Sequence, residues 1–105
     1  MTTKTKKSDA MRFLDTLVGH PQTFGSMLRA LRLSDEKTLQ EYANILGVSR
    51  HQLSDIERGV RVVSEEKASN FAESLGHSAA SFIRQVIDDR LAKQGLKFRV
   101  ELAAA

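Results

Sequence analysis

Apolar residues recur along this chain at the three- and four-residue spacing of helices, and only near the C-terminal end does the spacing drop to two. Phe13, Leu14, Leu17 and Val18 form the first stripe; Ser8 or Asp9 can cap a helix that ends at Gly19, before Pro21. Phe24, Met27, Leu28 and Leu31 mark a second helix from about 23 to 32, broken by the polar run Ser34-Asp35-Glu36-Lys37. Thr38 then caps a short helix whose inner side is Leu39, Tyr42, Ala43 and Leu46. Gly47 can end it in the left-handed conformation at little cost, and Ser49 caps the next helix, 49 to 58, closed by Gly59. Only Leu53 and Ile56 are strongly apolar there, so this helix has one narrow buried edge and a wide polar surface. Ser64-Glu65-Glu66-Lys67 opens another helix, with acids in the first turn where the helix dipole favours them. Ala68, Phe71, Ala72 and Leu75 face inward, and Gly76 ends it. Ser78 caps a longer helix to about 94, with Phe82, Ile83, Val86, Ile87 and Leu91 in register.

After Gly95 the period changes. Leu96, Phe98, Val100 and Leu102 alternate with Lys97, Arg99 and Glu101, a strand signature. A lone strand in a helical chain leaves its backbone groups without partners, and pairing with the same strand of a second copy about a two-fold axis solves this; a frayed tail is the simpler alternative. The expected fold is therefore all-α, a compact bundle of five to six helices, plus a short C-terminal strand pairing across a dimer. The expected division is a basic arm over 1–7, a helical domain over 8–94 and a tail over 95–105. Dimer contacts are expected from Leu96, Phe98, Val100 and Leu102, and from Phe82 and Val86 on the last helix.

Composition narrows the function. The 105 residues are 41% apolar and 28% charged with a single proline, the profile of one folded domain. With no cysteine there is no disulfide framework, no thiolate nucleophile and none of the common structural zinc sites, which fits a reducing cytoplasm. No apolar run approaches the roughly 18 residues of a membrane span, and no apolar stretch of leader length follows the basic start. His20, His51 and His77 lack ligand spacing, so neither a metal nor another cofactor is expected. Without a Ser/His/Asp order or a glycine-rich phosphate loop, the chain does not read as an enzyme. Asp88-Asp89 and Glu65-Glu66 read as exposed helix acids. The net charge of +3, with Lys4, Lys6 and Lys7 in the arm, permits a nucleic-acid partner without demonstrating one.

The stretch from Thr38 to Gly59 is more specific than the charge. Small Ala43 lets two helices cross closely, Gly47 makes the turn between them, Val48 and Leu53 plug the angle, and Ile56 anchors the second helix. Arg50, His51, Ser54 and Asp55 are left pointing outward on a helix that can enter a major groove. This is a helix-turn-helix pattern. With Leu28-Arg29-Ala30-Leu31-Arg32 before it and Phe71-Ala72-Glu73-Ser74-Leu75-Gly76 after it, residues 24 to 75 resemble the phage-repressor and Cro-like family of bacterial DNA-binding regulators.

The resemblance implies base reading from the start of the second helix of the motif. Arg50 can bind guanine O6 and N7 with two hydrogen bonds, Asp55 can accept from a cytosine amino group, and His51 suits a base or a phosphate equally. Thr38, Gln40, Gln52, Ser54, Arg58 and Arg61 are expected beside the reading face or on the DNA backbone. Leu39 stands where the family usually carries a phosphate-touching glutamine, with Gln40 next to it, so a contact from that helix falls to its cap, Thr38. The family pattern pairs Glu57 with Arg32 as a structural ion pair. The function expected is a sequence-specific transcriptional regulator, a repressor acting as a homodimer on a palindromic operator in double-stranded DNA. The alternative is an antitoxin that also holds a toxin protein, using the helix at 8 to 18 or the tail.

Overall fold

The computed structural model describes residues 22–95. They form five helices: α1 (Phe24–Ser34), α2 (Leu39–Leu46), α3 (Arg50–Glu57), α4 (Glu65–Leu75) and α5 (Ala79–Lys93). No strand occurs among the described residues. The arm, the helix expected at 8 to 18 and the strand expected from Leu96 to Leu102 lie outside them.

Each helix starts at a hydroxyl cap. Thr23, Thr38, Ser49, Ser64 and Ser78 each accept a hydrogen bond from the backbone N–H three residues on. A lost cap of this kind costs about 1 kcal/mol. Gly47 and Gly76 close α2 and α4 in the left-handed conformation. α1 runs through Ser34, two residues beyond the sequence expectation. The polar break starts at Asp35, whose N–H still donates to Leu31, and the chain turns at Glu36 with φ of 56°.

The core is one cluster drawn from all five helices. Leu28, Ala43, Leu53, Ala68 and Ala72 are wholly buried, with Phe24, Tyr42, Leu46, Ile56, Val63, Phe71, Phe82 and Val86 around them. Tyr42 donates its hydroxyl to Asp35 Oδ2 at 2.9 Å, which pins the α1–α2 turn to the core. Burial above all, and then the Asp35 hydrogen bond, pushes the hydroxyl's pKa upward.

Phe82 and Val86, expected at a dimer contact, lie in the core of their own protomer. Their relative exposures are 3% and 5%. Phe82 meets Phe24 edge to face, with ring centroids 5.7 Å apart, and stacks on His77 at 5.9 Å. These two side chains are covered by their own chain, while Ile83, Ile87 and Leu91 of the same stripe are only half-buried.

Asp89 and Glu65 also differ from the expectation of plain solvated acids. Asp89 Oδ2 accepts the Phe24 N–H at 2.6 Å, and Gln85 Nε2 donates to Asp89 Oδ1 at 3.1 Å. An acid of the last helix therefore serves the first turn of α1, where the helix leaves N–H groups unpaired and the dipole favours negative charge. Glu65 joins Arg90 through two hydrogen bonds of 2.7 and 2.8 Å, tying α4 to α5. The Arg90 hydrogen bonds hold the Glu65 carboxyl down at about 2.

Candidate nucleic-acid interface

α2 and α3 are joined by the turn Gly47-Val48-Ser49, and three local devices fix their angle. Thr38 Oγ1 accepts from Glu41 N while Glu41 Oε1 accepts from Thr38 N, a reciprocal cap at 3.1 and 2.9 Å. That backbone hydrogen bond from Thr38 holds the Glu41 carboxyl below its usual range. At the turn, Gly47 has φ of 73° and the Val48 N–H donates back to Ala43 at 3.0 Å. Ser49 and Gln52 then repeat the reciprocal cap at the head of α3, both bonds at 3.0 Å.

α3 buries one edge. Leu53 is fully covered and Ile56 is 2% exposed, so the opposite side faces out. Arg50 and His51 stand exposed at its N-terminal end, and the Arg50 side chain has no partner among the described residues. Arg58 and Arg61 are exposed at its far end. Gln52 and Ser54 are half-buried, and the Gln52 carbonyl oxygen is committed to the cap. Gln40 lies exposed on α2 and donates to Asn44 at 2.9 Å, while the Thr38 hydroxyl accepts from its own helix.

Asp55 differs most from its sequence reading as an open acceptor for cytosine. Its side chain is only 13% exposed. Oδ1 accepts from Arg58 Nη2 at 2.6 Å, and Oδ2 lies 3.4 Å from His51 Nε2. Residues 51, 55 and 58 fall on one stripe of the helix, so one carboxylate oxygen is bonded to the Arg58 guanidinium and the other lies beside the His51 ring.

Two contacts behind α3 hold it in place. Arg32 donates from Nε to Glu57 Oε2 at 2.7 Å and from Nη2 to Oε1 at 3.0 Å, with Nη1 on the Lys37 carbonyl at 3.0 Å. Arg32 is thereby occupied at the back of the motif. The second contact escaped sequence reasoning. Gly25 of α1 is buried with its backbone against the end of α3, and a Cβ there would run into the Ile56 carbonyl oxygen and stand 2.8 Å from that of Glu57. The only signal was a lone glycine inside an apolar helical stripe.

A family model described as a helix-turn-helix domain matches residues 23–81, more than half of the chain. The chain belongs to the helix-turn-helix domain family. The matched span runs from the cap of α1 into the first turn of α5, so the DNA-binding helix-turn-helix domain includes the supporting helices as well as the α2–α3 motif. No curated protein and no solved structure matches the chain. Among the described residues of the domain, no group of His, Asp or Glu could hold a metal ion, and no helix is long and apolar enough to cross a membrane.

Proposed function

We propose that the chain is a sequence-specific transcriptional regulator that represses by placing α3 in the major groove. The observation that carries this reading is the asymmetry of α3. Its Leu53–Ile56 edge is locked into the core and its end is gripped by Arg32, while Arg50 and His51 project from the N-terminal turn, the part that reaches base edges in this class of motif. Arg50 reads guanine, His51 meets a base or phosphate, and Arg58 and Arg61 lie towards the DNA backbone. A gel-shift on the DNA upstream of the chain's own gene tests it: a discrete complex that survives excess random-sequence competitor is expected, and loss of the complex to that competitor refutes sequence-specific binding.

The regulator acts as a homodimer, so that two α3 helices about 34 Å apart read a palindromic site. With Phe82 and Val86 used inside the protomer, the dimer contact falls to Leu96, Phe98, Val100 and Leu102. Sedimentation equilibrium of a chain lacking 96–105 should show weakened association. Equal dimerisation with and without the tail moves the interface elsewhere.

A second reading adds a protein partner, a toxin that the chain neutralises. An open groove of about 580 Å³, lined by Phe24, Val62, Val86 and Ala92 among others, favours it, as does the 71% exposure of Val62. Co-purification with the product of the adjacent gene separates it from the first reading.

A further inference from the structure

We propose that Asp55 determines specificity without reading a base, by holding Arg58 on the face of α3 and so limiting its grip on DNA of any sequence. The inference rests on the DNA-binding reading above and adds to it the role of an acid on a surface where bare negative charge would repel phosphate.

The geometry carries the argument. His51, Asp55 and Arg58 form a single stripe, with the acid between the imidazole and the guanidinium. At 1.5 Å per residue, the seven steps from residue 51 to residue 58 span about 10 Å, the rise of about three base pairs. Asp55 is 13% exposed against 59% for Arg58 and 83% for His51, so the acid lies deeper than the two nitrogen-bearing side chains on either side of it. DNA meeting this stripe meets nitrogen donors first. The Asp55 backbone carbonyl also accepts from the N–H groups of Val60 and Arg61, at 2.9 and 3.2 Å, which folds the following loop onto the last turn of α3. The same residue therefore orders the far end of the helix through its backbone and the outward stripe through its side chain.

This arrangement has an electrostatic consequence. The Arg58 guanidinium is paired with Asp55 at 2.6 Å, which offsets part of its attraction for phosphate. Contacts from such an arginine depend on its position more than on its net charge, whereas a released arginine would bind any phosphate it could reach. Phosphate binding is insensitive to sequence and is the main source of non-specific affinity. Asp55 thus lowers the background against which Arg50 discriminates.

Asp55→Asn keeps the side chain's shape and removes the charge. With the full-length chain, affinity is measured against salt on operator and on random-sequence duplex. Asp55→Asn should bind random-sequence DNA more tightly, with the slope of log K on log salt steeper by about 0.9, the signature of one more phosphate contact. The ratio of operator to random affinity should fall. In an Arg58→Ala background the same substitution should leave the random-sequence slope unchanged, a dependence that a general loosening of α3 would not produce. An unchanged slope in Asp55→Asn alone, or a change that persists without Arg58, overturns the proposal. Loss of preference at one base pair with the slope unchanged also overturns it, because the carboxylate would then be reading a base. A wild-type chain that binds no duplex refutes the DNA-binding reading itself, an outcome distinct from these.

Discussion

Arg32 and Glu57 meet at two points, 2.7 and 3.0 Å, so that the last turn of α1 grips the final residue of α3. Their side chains are 11% and 5% exposed, which places the pair between a surface bridge and a buried one. Removing one partner from such a pair leaves the other charge poorly solvated, and that costs more than the pair itself contributes. Arg32→Met should destabilise the fold by about 3 kcal/mol, at the low end of the range for buried pairs. The double variant Arg32→Met/Glu57→Leu should lose less than Arg32→Met alone. Urea unfolding of both checks this, and a double variant weaker than the single would contradict it.

Gly25 sets the distance between α1 and α3. A methyl group there collides with the Ile56 carbonyl, and backbone cannot swing aside as a side chain can. Gly25→Ala gains about 1 kcal/mol of helix propensity but meets an overpacking cost of about 1–3 kcal/mol. The net expectation is a lower urea midpoint together with weaker operator binding, because α3 itself must move. A more stable variant with intact binding would show that the two helices can separate freely.

Arg50 and Arg61 should respond differently to the same substitution. Arg50→Ala should cost about 1–3 kcal/mol of operator binding and relax preference at one base pair per half-site. Arg61→Ala should weaken every sequence alike and reduce the salt slope by about 0.9 per half-site engaged. Selection from a randomised duplex library separates the two. Uniform weakening by Arg50→Ala would assign it to phosphate.

Acid should loosen the α4–α5 junction. Arg90 holds the Glu65 carboxyl at about 2, below its ordinary 4.5. A carboxylate lowered on folding stabilises the fold fully above its unfolded value and loses that contribution as pH falls towards the folded one. Thermal stability should therefore drop between pH 4.5 and pH 2, and Glu65→Gln should flatten that part of the profile. The pair is half exposed, with side chains 46% and 41% accessible, so the effect is modest and shrinks in high salt. An identical pH profile in the variant would exclude the pair as its source.

Sequence alone showed what depends on neighbours in the chain. Thr38, Gly47 and Ser49 punctuate α2 and α3 through hydrogen bonds spanning three to five residues, and their side-chain chemistry announces those bonds. The partners of Asp55 were also within reach, since 51, 55 and 58 are one helical stripe, but acceptor chemistry drew attention to the base instead. Long-range relationships were not legible. Asp89 meets Phe24 across 65 positions, and Gly25 matters only because another backbone passes beside it. Phe82 and Val86 were readable as apolar, yet an apolar stripe carries no record of whether its cover comes from its own chain or from another.

The Asp89–Phe24 latch also joins the two ends of the described chain. It spans 65 positions, whereas α4 and α5 pack as near neighbours across a short turn. An opening that released α1 would carry off Gly25 and Arg32, the two braces behind α3, and leave the α4–α5 hairpin its own contacts. The orientation of α3 is in this sense supplied by a helix outside the motif.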